Sequence, residues 1–394
     1  MISTILYIID IVAFVVLALC VVYMLFFSVA SLFYRVPQFP APKRLGKIAV
    51  LFPAYKEDRV IVNSVTEFLK QDYPKERYDV YVISDQMKPE TIEALESLPI
   101  KVLKVTFEKS SKAKAMAFAT DQIKALGYDI VAIMDADNTT EPNFLSRVNE
   151  AIESGVGAVQ AYRTGKESTS DVSKLDGVSE SINNGIFRSG HNAAGLSAAL
   201  SGSGMAFKAD WFFENIYKLN TAGEDKEMEA LLLKQRIHTI FIKDVHVFDE
   251  KVAKVDAIGN QRKRWMAAQY AILRRTIVDF PRALLHGNID YCDKIVQWML
   301  PPRLIQFFLL GLFTLLSLIT LEPGVFVKWI VLCLLQVVAI LSTLPRRIFN
   351  SGLLKAVVLK VPTLIIVTIK GIFKLKGAHK DFIHTEHGEN INHK

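Results

Sequence analysis

Ile130-Val131-Ala132-Ile133-Met134, followed at once by Asp135-Ala136-Asp137, is the stretch on which the fold turns. A short, continuous apolar run bounded by polar residues reads as a strand buried on both faces, as in parallel sheets covered by helices. Two carboxylates one residue apart, where the chain leaves that strand, cannot both face the core. They are hard oxygen ligands of the kind Mg²⁺ or Mn²⁺ takes, and such an ion would neutralise a diphosphate leaving group. A D-x-D triplet alone is common on surfaces. Its position after a buried strand gives it weight.

The same grammar extends upstream. Lys47-Ile-Ala-Val-Leu-Phe-Pro53 is an apolar run stopped by proline, Tyr78–Ser84 a β-branched run ending at Asp85, and Ile100–Thr106 a third strand. Val60–Leu69 and Lys112–Ala125 have helical spacing between them. Strands alternating with helices predict an α/β domain with a mainly parallel sheet covered on both faces. Ligands bind such sheets at the carboxyl ends of the strands, where Pro53, Asp85 and Asp135 all fall. Each alone is an ordinary turn residue; three in one sheet favour a nucleotide-type pocket.

Three further segments carry chemistry. Gly223-Glu224-Asp225 precedes the helical stretch Lys226–Leu233. Acids at a helix start complement the dipole, and an exposed one could also take a proton from a substrate hydroxyl. Gln261-Arg262-Lys263-Arg264-Trp265 reads either as a basic segment on anionic lipid or as an arginine clamp for phosphate, with Trp265 a platform for a sugar ring. Gly202-Ser203-Gly204 is a tight turn or a place where a ligand approaches the backbone closely.

The rest of the chain points to a membrane. Of 394 residues, 51% are hydrophobic and the mean hydropathy is +0.25, which excludes a disordered chain. Residues 11–34 carry no ionised group, enough helix to cross a bilayer core of about 30 Å. A signal peptide would want a basic start and a shorter core. Leu304–Leu321 and Trp329–Leu344 form two further uncharged runs joined by Glu322-Pro323-Gly324, a predicted helical hairpin with Lys328 snorkelling at its edge. Arg303 and Pro345-Arg346-Arg347 flank it; Arg35, Lys43, Arg44 and Lys47 follow the first helix. By the positive-inside rule these basic ends, and the region between them, are cytoplasmic. Residues 353–374 are apolar but hold Lys355, Lys360, Lys370 and Lys374, which fall within about 140° of one another on a helix. They predict an interfacial amphipathic helix, with a fourth spanning helix as the alternative. Cys20, Cys292 and Cys333 form no disulfide framework and read as reduced thiols.

The net charge of +7 is a topology signal. Residues 35–47 contribute +4 and residues 345–394 contribute +6, whereas 48–344 carry −2. The basic surplus lies beside the membrane, where it binds anionic lipid. No basic, aromatic-interleaved surface for nucleic acid is predicted in the soluble region. The three clear apolar runs have no ionised residue in their middles, which disfavours a transporter or channel.

The ordered set Phe52-Pro-Ala-Tyr-Lys-Glu57, Asp85, Lys112-Ala-Lys-Ala-Met116, Asp135-Ala-Asp137, Gly202-Ser-Gly-Met205, Glu224-Asp225 and Gln261-x-x-Arg264-Trp265 resembles the membrane-bound processive family-2 glycosyltransferases. These include cellulose, chitin and hyaluronan synthases and bacterial exopolysaccharide synthases. The resemblance covers about Lys47 to Trp265 by motif and the flanking helices by layout. It implies a GT-A-type domain inserted between transmembrane helices. It also implies an inverting, Mg²⁺- or Mn²⁺-dependent transfer of sugar from a nucleotide diphosphate donor, UDP-linked by expectation, to a growing β-linked glycan.

The resemblance also implies roles. Tyr55, Glu57, Asp85, Lys112, Asp135 and Arg264 would contact the donor nucleotide, its phosphates or its base. Asp135 and Asp137 would hold the metal. Asp225 matches the general base, with Glu224 beside it. Gly202, Ser203, Gly204, Gln261 and Trp265 would meet the acceptor. Two departures stand out: Lys56 occupies the place of the motif's usual asparagine, and Gly223 that of threonine. The expected organisation is an N-terminal transmembrane helix at 1–36, a cytoplasmic GT-A domain at 44–265 and an interfacial segment at 266–302. A transmembrane hairpin at 303–345, an interfacial or transmembrane helix at 346–376 and a cytoplasmic tail at 377–394 complete it. So few spans leave a one-chain polymer channel in question; an export partner, a homo-oligomer or a shorter product would resolve that. Transfer of a single sugar to a lipid-linked or oligosaccharide acceptor is the alternative reaction.

Overall fold

The computed structural model describes residues 2–166, 170–221, 223–251, 255–320, 322–345, 348 and 351–373. Arg346, Arg347, Lys374 and the expected tail at 377–394 lie outside them. In chain order the helices are α1 (Ile2–Ser31), α2 (Ile61–Phe68), α3 (Pro89–Glu96), α4 (Lys112–Ile123), α5 (Phe144–Glu153), α6 (Asp171–Asn183), α7 (His191–Ala193), α8 (Ala209–Asn215), α9 (Glu224–Lys234), α10 (Val255–Thr276), α11 (Phe280–Leu285), α12 (Ile289–Met299), α13 (Arg303–Ile319), α14 (Pro323–Leu341) and α15 (Ser351–Phe373). The strands are β1 (Ile48–Tyr55), β2 (Tyr78–Asp85), β3 (Lys101–Val105), β4 (Ile130–Ile133), β5 (Thr139–Thr140), β6 (Ala158–Gly165), β7 (Met205–Lys208) and β8 (Thr239–Asp249).

The eight strands make one sheet in the order β3-β2-β1-β4-β7-β6-β8-β5. β3, β2, β1 and β4 are mutually parallel, β7 is antiparallel to both β4 and β6, and β6 is parallel to β8. The expected mainly parallel α/β sheet is therefore present, with its three upstream strands and D-x-D strand adjacent. Continuous apolar runs arise because both faces are covered. Ile48, Val50 and Phe52 pack with Ile61, Val65 and Phe68 of α2 on one face. Ala49 and Leu51 pack with Met116, Ala119 and Ile123 of α4 on the other.

Among the described residues three helices are long and apolar enough to cross a bilayer: Thr4–Ser31, Pro323–Leu341 and Gly352–Ile372. The hairpin is present, but its first arm differs from expectation. α13 has 17 residues, because the chain turns at Glu322-Pro323. At about 26 Å it falls short of a typical hydrocarbon core; only with α12, across a 60° bend, does the pair reach spanning composition. Lys328 does not simply snorkel. Its ammonium pairs with Asp10 of α1, and Trp329 Nε1 donates to Asp10 Oδ1 at 2.8 Å, clipping α14 to α1. α15 has spanning length but lies along α10 and α6. Ala356 and Leu364 pack with Val172, Leu175 and Ile258, and Gly259 comes so close that a Cβ there would sit 2.6 Å from Val367. Lys355 and Lys370 are exposed.

Candidate active site

β1 and β2 each hand the chain to a residue in the left-handed region, Lys56 (φ 56°) and Gln86 (φ 55°). That conformation suits asparagine or glycine better than lysine, which is the physical content of the Lys56 departure. The turn is held by Lys56 N–H donating to Asp85 O at 3.2 Å, and the Lys56 ammonium lies over the Tyr55 ring at 5.1 Å. Asp85 is buried, and its Oδ1 accepts from Phe107 N–H at 3.3 Å.

The D-x-D turn is set from beneath. Gly204 N–H donates to Ile133 O at 2.9 Å. Ser203 Oγ accepts from Asp135 N–H at 2.9 Å and donates to Asn138 Oδ1. Ser203 is fully buried, and a Cβ on Gly204 (φ 63°) would meet Val247 at 2.8 Å. Contrary to expectation, Ser203 and Gly204 therefore lie below the cleft and position Asp135, while Gly202 (φ 83°) alone of the three lines it. Asp137 is fixed by Asn138 Nδ2 at 3.0 Å and Glu250 N–H at 2.9 Å.

Lys112 opens α4 and its ammonium joins three elements. It pairs with Asp135 Oδ1, donates to Gly202 O and lies 3.7 Å from Glu224 Oε1. Burial lowers its pKa, but Asp135 and Glu224 outweigh that and raise it. At the start of α9, burial raises the Glu224 carboxyl to about 7; Asp225 adds to this and Lys112 opposes it. Asp225 Oδ1 accepts from Lys226 N–H at 2.8 Å. Gly223 lets α10 approach: a Cβ there would sit 2.5 Å from Ala268 Cβ.

On α10, Gln261, Arg264, Trp265 and Ala268 line the cleft, an i, i+3, i+4, i+7 stripe on one face. Among the described residues the Gln261 Oε1 atom is buried without a partner. Burial lowers the Arg264 pKa, while Glu224, Asp135 and Asp225 pull the other way. Tyr55, Glu57, Asp85, Lys112, Asp135, Asp137, Gly202, Glu224, Asp225, Gln261, Arg264 and Trp265 thus share one open cleft at the carboxyl end of the parallel strands.

The cleft has a second polar half that the sequence reading missed: Arg163, Asp176, Glu180, Asp249, Glu250 and Lys251. Arg163 forks onto Asp249 at 2.8 Å and donates to Ser201 O at 2.7 Å. Burial would raise Glu180, but Arg188, Lys251 and Arg163 hold it at about 2. Asp176 and Glu180 share a helix face by their i, i+4 spacing, which was a readable signal. Nothing local in β6 or β8 pairs Arg163 with Asp249; only the strand register does.

Among the described residues no three His, Cys, Asp or Glu side chains are placed together to hold a metal. Asp135 and Asp137 offer two carboxylates, the donor set that suits an ion sharing its remaining positions with phosphate oxygens and water.

Sheet, cleft and helix order together define an α/β domain of GT-A type. Residues 45–268 match the family described as "Glycosyltransferase like family 2", more than half of the chain. The protein belongs to that family. It is 30% identical over 104 residues to a probable glycosyltransferase, YdaM, of Bacillus subtilis, covering 25% of this chain and 24% of that one. It is 20% identical over 188 residues to a dolichyl N-acetyl-α-D-glucosaminyl phosphate 3-β-D-2,3-diacetamido-2,3-dideoxy-β-D-glucuronosyltransferase of Methanococcus voltae, covering 47% of this chain and 56% of that one. Both matches span well under two thirds of the relatives' lengths. In fold it resembles the mannosyltransferase PcManGT of Pyrobaculum calidifontis, solved with GDP-Man and Mn²⁺, with a TM-score of 0.52 at 15% identity over 85% of this chain and 97% of that one.

Proposed function

We propose that this chain is a membrane-anchored, inverting, metal-dependent transferase. It moves a sugar from a nucleoside diphosphate donor, UDP-linked by preference, to a β-linked glycan growing at the cytoplasmic membrane face. The observation that carries this reading is the convergence of Asp135, Asp137, Glu224, Asp225 and Arg264 on one cleft. It supplies carboxylates for a metal, a base and a cation, with no activated Ser or Cys nucleophile among them.

A Mg²⁺ or Mn²⁺ ion held by Asp135 and Asp137 would neutralise charge on the leaving diphosphate. Tyr55, Glu57 and Asp85 would bind the nucleoside at the ends of β1 and β2. Asp225 would take the proton of the acceptor hydroxyl, with Glu224 and Lys112 holding the acidic cluster in register. Arg264 would face the diphosphate as charge develops on it. Trp265 would stack the acceptor sugar and Gln261 Oε1 would accept from one of its hydroxyls. The basic residues after α1 and at the start of α13 favour a cytoplasmic cleft, and the length of α1 and α14 favours a membrane anchor.

Membranes containing the protein, incubated with radiolabelled nucleotide sugars and Mg²⁺ or Mn²⁺, test the reading. Transfer with one donor, its product sized and its linkage determined, is expected; no turnover of any donor by intact protein overturns it. A second reading is single transfer to a lipid-linked acceptor, the kind of acceptor in the printed name of the Methanococcus relative. A product longer by one sugar would decide for it.

A further inference from the structure

Asp249 ends β8 in the second polar half of the cleft, and its carboxylate is engaged on one side only. Oδ2 accepts from Arg163 Nε at 2.9 Å, from Arg163 Nη2 at 2.8 Å and from Lys251 Nζ at 2.9 Å. Oδ1 is buried and, among the described residues, has no partner. A carboxylate oxygen withdrawn from water without a donor is costly. The side chain is 3% exposed, so bulk solvent does not serve it, yet Asp249, Arg163 and Lys251 all line the cleft. The Lys251 ammonium has the complementary surplus. Of its three N–H donors one goes to Asp249, while Asp176 Oδ2 stands at 4.0 Å, beyond hydrogen-bond reach. Gly165, at the end of β6, makes room for this lysine: a Cβ there would lie 2.6 Å from Lys251 Cγ.

Charge says what kind of ligand fits. Arg163 and Lys251 stand beside Asp249 and Asp176, two cations with two carboxylates. An ion would upset that balance in a buried place; a neutral molecule with hydroxyls would not. A free carboxylate oxygen beside an ammonium with donors to spare suits two neighbouring hydroxyls, one donating to Oδ1 and one accepting from Nζ. Place says which part of a substrate would bring them. Glu250, the next residue, donates its N–H to Asp137 Oδ2 at 2.9 Å, and Arg163 Nη1 donates to Ser201 O at 2.7 Å, beside Gly202. In the sheet, β6 and β8 lie on the far side of β4 from β1 and β2, whose ends are the proposed nucleoside side. A ligand here would adjoin the diphosphate and not the base.

We propose that Asp249 Oδ1 and Lys251 Nζ form a sugar subsite, braced by Arg163, that holds two vicinal hydroxyls of a sugar beside the reaction centre and so sets which sugar is accepted. This deepens the transferase reading and rests on it for the source of the sugar, the ring of the donor or the end of the acceptor. Selectivity follows because a sugar lacking or misplacing a hydroxyl leaves buried polar groups unpaired.

The test is binding, not turnover. The full chain in phosphatidylcholine nanodiscs with Mn²⁺ is titrated with UDP and GDP, with UDP-glucose, UDP-N-acetylglucosamine and GDP-mannose, and with the β-linked tetrasaccharides cellotetraose and chitotetraose. Asp249→Asn puts an amide where the carboxylate stood; Lys251→Met leaves the Arg163–Asp249 pair in place and decides alone if Asp249→Asn does not fold. Each is expected to weaken a sugar-bearing ligand about tenfold or more, while the parent nucleotide binds as it does to the wild type. A weakened nucleotide sugar assigns the subsite to the donor, and a weakened tetrasaccharide assigns it to the acceptor. Unchanged binding in both arms, or no sugar-dependent binding in either, overturns the subsite. An equal loss of UDP or GDP binding also overturns it, because the two residues then act through Glu250 on Asp137 and not on a sugar. Failure of the transferase reading looks different: the wild type itself binds no nucleotide, while a tetrasaccharide weakened by the variants still upholds the subsite.

Discussion

Lys112 Nζ lies 3.7 Å from Glu224 Oε1 while pairing with Asp135, so one ammonium ties the D-x-D turn to the start of α9. Removing it takes from Asp135 and Glu224 the cation they share. The Asp135 side chain is 31% exposed, so the loss is smaller than for a fully buried pair. Lys112→Met is expected to lower thermal stability clearly and to abolish most transfer. A calorimetric scan beside a donor-turnover assay checks this; wild-type stability in Lys112→Met would show that the ammonium is dispensable to the cluster.

Glu224 gives the cleft a pH signature. Burial, with Asp225 beside it, raises its folded pKa to about 7 from an ordinary value of 4.5. The folded chain therefore binds that proton more tightly than the unfolded chain. Between pH 4.5 and about 7 the unfolded state has lost it and the folded state has not, so stability falls as pH rises through this window. In Glu224→Gln, without metal or nucleotide, that fall should flatten, and the variant should exceed the wild type at pH 8 by up to about 3 kcal/mol. Chemical denaturation at pH 5, 6, 7 and 8 measures both slopes; parallel slopes would contradict a raised Glu224.

Much of this was legible because local pattern and global fold agree. β1, β2 and β4 are short apolar runs whose terminal residues had to converge, since parallel strands end on the same side. The α10 residues were legible as a motif and again as a helical stripe. What stayed hidden depends on long-range register. Arg163 meets Asp249 only because β6 pairs with β8, and Ser203 sinks beneath Asp135 only because β7 runs antiparallel against β4. The short α13 and the Asp10–Lys328 pair were hidden for another reason: hydropathy counts residues and does not say where a helix begins or which polar groups meet inside a bundle.

Gly223 packs where a threonine was expected, and a Cβ there would lie 2.5 Å from Ala268 Cβ. Gly223→Thr should push α10 away, with an overpacking cost of about 1–3 kcal/mol, and carry Gln261, Arg264 and Trp265 out of register. Activity should fall more than stability does. The pair Gly223→Ala with Ala268→Gly moves the methyl to the other helix and should recover most of both. Double-mutant comparison of melting temperature and turnover measures the coupling; simple additivity would mean that the two residues do not set the α9–α10 spacing.

On the proposed roles, variants of Asp137 and Asp225 should separate binding from proton transfer. Asp137 is fixed by Asn138 and by Glu250 N–H, and it is one of the two carboxylates proposed to hold the ion. Asp137→Ala should therefore lose the Mn²⁺-dependent part of nucleoside diphosphate binding along with transfer. Asp225 lines the cleft at the start of α9, where on the proposed roles its loss would remove a base and not a ligand to the donor. Asp225→Asn should keep nucleotide binding within a few-fold while transfer drops by about 10²–10⁴. Calorimetric titration of UDP and GDP with and without Mn²⁺, read beside product formation, distinguishes the two. Normal transfer in Asp225→Asn would move the base to Glu224, whose raised carboxyl is the next group along the same helix turn.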